Sequence, residues 1–201
     1  MILGICLINL SILGCSSSNE SNHSPQNSTP ITTLPTDGAP AVISPLDISA
    51  AEKDPCGIAS KQQIESFGDV LQNIKQESTS GSFGPSCTWD FGRASSLLIG
   101  PPPPGRTIRG LSDIYQKGKA NGFLSFSPTT IANYPAVVID RSRGNCDIVI
   151  GLRDTQIYNI LYSANPDSPN WGIECEVTRK AGEFLIEYLK IHNNEPPPTS
   201  N

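Results

Sequence analysis

Apolar and polar positions divide the chain into three regimes. Residues 1–14 are apolar apart from Asn9 and Ser11 and carry no charged side chain. From Ser16 to Lys53 the chain is mostly Ser, Asn, Thr and Pro with few large apolar residues. From Asp54 onward the pattern becomes periodic. Ser60-Lys61-Gln62-Gln63 has the spacing of a capping box and predicts a short helix that stops near Gly68. Cys87, Trp89 and Phe91 alternate with Thr88 and Asp90, the period of a half-buried strand, and a tight turn near Gly92 leads into a second strand over Ser95–Ile99. Pro101–Pro104 and Gly105 break that strand, and a helix is expected over Leu111–Asn121, ended by Gly122. Strand-like runs follow at Phe123–Phe126, Tyr134–Asp140, Cys146–Ile150 and Gln156–Tyr162, with turns at Arg143-Gly144-Asn145 and Arg153-Asp154; such short spacings predict antiparallel hairpins. Ser168-Pro169 is expected to open a last helix. Trp171, Cys175, Thr178, Ala181, Leu185, Tyr188 and Leu189 recur at three- and four-residue steps along one face of it. The fold class expected is α+β: an antiparallel sheet of about five or six strands, a short N-terminal helix, and a long C-terminal helix packed on the sheet.

The first regime is too short to span a bilayer but fits the apolar core of a signal peptide, although the usual basic residues ahead of that core are missing. It ends Ile12-Leu13-Gly14-Cys15 and is followed by Ser16-Ser17-Ser18, which looks like a bacterial lipobox: a small residue precedes a Cys that is lipidated and becomes the first residue of the mature chain. The expected organisation is therefore a signal over 1–14, a lipid-bearing Cys15 followed by a disordered tether to residue 53, a single domain over 54–192, and a disordered tail over 193–201. Two acyl chains attach a protein stably to a membrane without a transmembrane helix. The expected location is the extracytoplasmic face of the cell membrane.

Composition narrows the partners. A net charge of −5 gives no electrostatic footprint for nucleic acid. Of two histidines, His23 falls in the tether and His192 at the end of the last helix, so a Ser-His-Asp or Cys-His arrangement has no histidine within the domain. Neither a Cys-x-x-Cys pair nor a His pair occurs at ligand spacing, and Gly81-Ser82-Phe83-Gly84 lacks the length and the Lys of a phosphate loop, so no metal and no cofactor is expected. Asp90, Asp140, Asp147, Glu174 and Glu176 could supply paired carboxylates, but their positions suit solvent-facing strand residues and the first turn of a helix. Arg141 with Arg143, and Arg106 with Arg109, are candidate grips for a carboxylate or phosphate. Trp171 is a candidate partner anchor, with core packing the blander alternative.

Asp54-Pro55-Cys56, Cys87-Thr88-Trp89, Tyr134-Pro135-Ala136-Val137-Val138, Cys146 heading a strand and Cys175 in a terminal helix together resemble the actinobacterial lipoproteins whose shared domain has no assigned activity. The resemblance runs over nearly the whole chain, with the Pro101–Pro104 run as a departure, and implies no catalytic residue.

With Cys6 removed in the signal and Cys15 lipidated, Cys56, Cys87, Cys146 and Cys175 remain, and an even number in an exported domain implies two disulfides. Of three pairings, Cys56–Cys87 and Cys146–Cys175 is the one expected; the crossed and nested pairings stay open from sequence. The leading functional expectation is a non-catalytic binding or interaction module of the cell envelope, facing a wall component or another exported protein. The alternatives are a carboxylate-based hydrolase of wall polymers and a structural or sensory accessory to an exported protein.

Overall fold

A computed structural model describes residues 33–77, 84–92, 94–102, 109–123 and 125–194. The signal, Cys15, Arg106 and the C-terminal tail from residue 195 lie outside the described residues. The described elements are α1 (Ser49–Lys53), a 3-10 turn (Pro55–Ile58), α2 (Lys61–Glu65), β1 (Asn73–Glu77), β2 (Ser86–Gly92), β3 (Ser95–Gly100), α3 (Leu111–Lys119), β4 (Ser127–Ile131), β5 (Tyr134–Ser142), β6 (Asn145–Arg153), β7 (Gln156–Ser163) and α4 (Glu174–Asn193). The α+β expectation holds, with a seven-stranded antiparallel sheet in the order β1-β2-β3-β7-β6-β5-β4. The chain meanders through β1, β2 and β3, passes through α3 to the far edge, and meanders back through β4 to β7, so that β7 closes against β3.

Local chemistry accounts for most of these elements. Ser60 and Gln63 form the expected reciprocal cap of α2, with Gln63 N–H donating to Ser60 Oγ at 3.2 Å and Ser60 N–H to Gln63 Oε1 at 2.8 Å. Ala132 and Asn133 both have positive φ between β4 and β5, the backbone of a two-residue hairpin turn. Cys146, Ile148, Ile150 and Leu152 of β6 join the main core, into which α4 packs Val177, Ala181, Leu185 and Leu189. Val149 points the other way, with Val137, Ile139 and Ile157, into a smaller core beneath α3. Gly182 lets α4 lie close: a Cβ there would sit 2.9 Å from Ile150 and 3.2 Å from Ile131 and Ile160. Both disulfides pair as expected, Cys56 with Cys87 and Cys146 with Cys175; the first ties the 3-10 turn to β2, the second ties β6 to the first turn of α4.

Four details depart from the sequence reading. β1 was not anticipated, because residues 73–76 are exposed and lack the alternation that marks a half-buried strand. β4 begins at Ser127, after the Phe123–Phe126 run; Phe126 instead meets Tyr115 edge-on at 5.1 Å and stacks on Phe123 at 6.3 Å. The last helix starts at Glu174. Residues 168–173 form turns, with Trp171 N–H donating to Ser168 O (3.1 Å) and Ile173 N–H to Asn170 O (3.1 Å), and Gly172 has φ +90. Trp171 is consequently not on the helical face.

The fourth departure is the domain boundary. The stretch expected to be tether up to residue 53 packs on the domain from Thr36 onward. Thr36 N–H donates to Ser112 Oγ (2.9 Å), Val42 N–H to Asp154 Oδ1 (2.9 Å) and Leu46 N–H to Leu152 O (3.0 Å), while Arg153 Nε donates to Leu46 O (3.0 Å). Asp47 and Asn193 exchange two hydrogen bonds, at 2.7 and 2.9 Å, which fix the segment to the end of α4. Ala39 enters the smaller core and Leu46, Ile48 and Ala51 enter the main core, so the segment runs around the β6–β7 end of the sheet from one face to the other. Composition masked this docking: four apolar side chains, spaced among Ser, Pro and Asp, suffice when the backbone also finds partners.

Candidate functional site: a cleft beside Asp69

At the opposite end of the sheet, the loop after α2, the β2–β3 turn and the loop from β7 to α4 converge. Asp69 comes from the first. Its Oδ2 accepts three hydrogen bonds: from Tyr162 Oη (2.5 Å), Ser168 Oγ (2.9 Å) and Asn170 Nδ2 (3.0 Å). Asn170 Nδ2 also donates to Tyr162 Oη (3.2 Å), and Asn170 N–H donates to Ser168 Oγ (3.1 Å). Tyr162, Ser168 and Asn170 are buried. Three donors gathered on one carboxylate oxygen pin the 164–173 loop to the sheet and to the loop after α2. Asp69 Oδ1 takes no protein hydrogen bond among the described residues. A cleft of about 480 Å³ opens beside this network, lined by Asp69, Val70, Gln72, Phe91, Ser95 and Ser168 among others. That volume falls within the range of about 300–1,000 Å³ of small-molecule sites.

Burial first, and then the hydrogen bond to Asp69, push the Tyr162 phenol up to about 12. An unfolded tyrosine ionises near pH 10, so the stability tied to this phenol is complete below about pH 10 and drains away as pH rises towards 12. Burial also raises Tyr158, Tyr115 and Tyr134. We expect phenolate absorbance to appear together with loss of folded-state circular dichroism above pH 10. Ionisation of most tyrosines at pH 10 in a fully folded chain would refute the burial account.

The residues proposed from sequence are scattered. Arg143 is exposed, with its guanidinium 5.8 Å from the Trp171 ring centroid. Trp171 is half-buried against Gly144, where a Cβ would lie 2.4 Å from the ring, so a glycine is required. This pair stands on the same end of the sheet as the cleft, at the β5–β6 turn. Arg109 is at the other end, beside the β6–β7 turn, and its donors are engaged: Nε with Asp113 Oδ1 (2.7 Å), Nη1 with Asp37 Oδ2 (3.2 Å) and Nη2 with Gln116 Oε1 (2.6 Å). Arg109 clamps the start of α3 to residues 36–37. The Arg141 and Asp140 side chains, like Arg106, lie outside the described residues.

Asp90 and Asp147 stand too far apart to work as a catalytic pair. Asp90 on β2 and Asp147 on β6 share a sheet face but stand three strands apart, about 14 Å at the usual strand spacing. Glycosidase carboxylates stand about 5–9.5 Å apart. Glu174 accepts from Gly172 N–H at 2.8 Å, and His192 Nδ1 lies 2.8 Å from Tyr188 O. Among the described residues no three His, Cys, Asp or Glu gather as a metal site, and no helix is long and apolar enough to cross a membrane.

Sequence reading missed Asp69, Tyr162, Ser168 and Asn170. A signal was present: Tyr162 falls on the inward parity of β7, and a buried tyrosine hydroxyl needs a partner.

Fold and site together define a disulfide-stapled α+β domain with a polar cleft at one end of the sheet. Residues 10–188 match the family described as "Protein of unknown function (DUF3558)", and the chain belongs to it. No curated protein and no solved structure matches the chain.

Proposed function

We propose that this protein is a non-catalytic binding module of the cell envelope, held to the outer face of the membrane by lipid on Cys15, with its ligand or partner taken up at the Asp69 end of the sheet. The carrying observation is the cleft itself, where buried Tyr162, Ser168 and Asn170 hold one carboxylate in place beside an open volume. Two disulfides suit an oxidising compartment, and Leu13-Gly14-Cys15 is the junction that would place the domain there. The separation of Asp90 from Asp147 argues against a hydrolase acting through that pair, and the four domain cysteines, being disulfide-bonded, offer no nucleophile. A wall component or an exported protein is the partner class this location supplies.

Metabolic labelling with a fatty-acid probe tests the anchor. Cys15→Ser should abolish labelling and shed the protein into the medium or leave it unprocessed; equal labelling of the variant overturns the anchor. Turnover assays on ester, peptide and glycan substrates test the rest. No turnover is expected, and hydrolysis lost on replacing Asp90 or Asp147 overturns the binding reading.

A further inference from the structure

The cleft's chemistry narrows the ligand, given the binding-module reading above. Asp69 is divided in use. Its Oδ2 is saturated by a phenol, a hydroxyl and an amide, while its Oδ1 takes no protein hydrogen bond among the described residues and can accept one from a ligand. Ser95, 3% exposed, is also in the lining; its Oγ accepts from Asn165 N–H at 3.1 Å and keeps its own proton to donate. Gln72 adds an exposed amide that can both donate and accept, and Asp167 lines the cleft as a second, exposed carboxylate. Between these polar groups lie apolar surfaces: Val70, 70% exposed, together with Pro169 and Phe91. Leaving Val70 in water costs burial that a ligand's C–H groups would restore.

Alternating donors and acceptors around small apolar faces match a neutral polyhydroxyl ring. Hydroxyls on such a ring both donate and accept, and its C–H faces cover aliphatic side chains. We propose that the cleft binds a neutral sugar ring, the end residue of a glycan. Asp69 Oδ1 accepts from one ligand hydroxyl, Ser95 Oγ donates to another, Gln72 bridges a third, and Val70 packs on the ring. Because the Tyr162–Asp69–Ser168–Asn170 network fixes the acceptor beforehand, little ordering is required on binding.

The test is an amide-resolved NMR titration of the mature chain carrying Cys15→Ser. The probes are the methyl glycosides of glucose, galactose and arabinose, each to about 50 mM, with ethanolamine as a cationic counterpart, since a single-ring ligand binds with a Kd on the order of 1 mM. Saturable shifts at residues 68–72, 95 and 167–170 with at least one glycoside are expected. Gln72→Ala should weaken them about fivefold and Asp69→Asn about tenfold, the costs of a neutral and of a charged hydrogen bond. Val70→Glu, at an exposed position, should abolish them without unfolding the chain. No shift with any glycoside overturns the proposal, as do glycoside shifts unaffected by Gln72→Ala and Val70→Glu. Ethanolamine shifting these amides where glycosides do not overturns the sugar assignment while leaving a binding module with a cationic ligand.

Discussion

Replacing Cys146 and Cys175 together with alanine should lower the unfolding free energy by about 3–4 kcal/mol. The bridge spans 29 residues of sequence, and closing a loop of that length restricts the unfolded chain by this amount in the chain-entropy account. Its position adds to the effect. Cys146 is completely buried at the start of β6, the strand packed on both faces, and Thr178 Oγ1 donates to Cys146 O at 3.3 Å from the second turn of α4. The bridge thus holds the helix that covers the main core. Chemical denaturation of the double variant, beside wild type measured with and without reductant, gives the difference directly. A loss under about 1 kcal/mol would mean that α4 is held by packing alone and that the loop-closure account fails here. The Cys56–Cys87 bridge, spanning 31 residues, should contribute comparably, so the fully reduced domain is expected to lose most of a typical margin of about 5–15 kcal/mol.

Leu46→Ala combined with Ile48→Ala should cost about 4–6 kcal/mol, near the lower bound for emptying two large core sites. Both side chains are 6% exposed and belong to the main core, although they come from a stretch that reads as tether. Ile43, three residues earlier and 89% exposed, supplies the internal control: Ile43→Ser should change stability by less than about 0.5 kcal/mol. Deleting residues 16–50 should be at least as damaging as the double substitution, since it also removes the partners of Leu152 O, Arg153 Nε and the Asn193 side chain. Thermal unfolding unchanged by that deletion would show that the segment does not pack in solution.

What sequence reveals here depends on range. Elements with a local cause were legible: the Ser60–Gln63 cap, the Cys87-Trp89-Phe91 alternation that buries Trp89 completely, and the inward face of α4 from Thr178 to Leu189. The disulfide pairing was the one expected, since each bridge closes a loop of about 30 residues, but the crossed and nested pairings stayed open until the structure joined Cys56 to Cys87 and Cys146 to Cys175. The Asp69 network was not, because its partners lie 93 to 101 residues away, and nothing local distinguishes Asp69 from any loop aspartate. The start of α4 was misplaced for a related reason. Ser168-Pro169 has the composition of a helix opening, yet Ser168 spends its hydroxyl on Asp69, and the chain turns twice more before Glu174. Edge strand β1 and the docked segment around Leu46 gave weak periodicity because each presents little or no continuous buried face.

The docked segment also fixes a length. A lipid on Cys15, as proposed, leaves 20 residues before Thr36, the first described residue with a hydrogen bond into the domain. Fully extended, they reach about 70 Å, whereas the 38 residues up to Lys53 would have reached about 130 Å. Under that proposed anchor the docked segment would act as a stay, roughly halving the height to which the domain could rise from the bilayer and keeping the Asp69 cleft within that shorter reach.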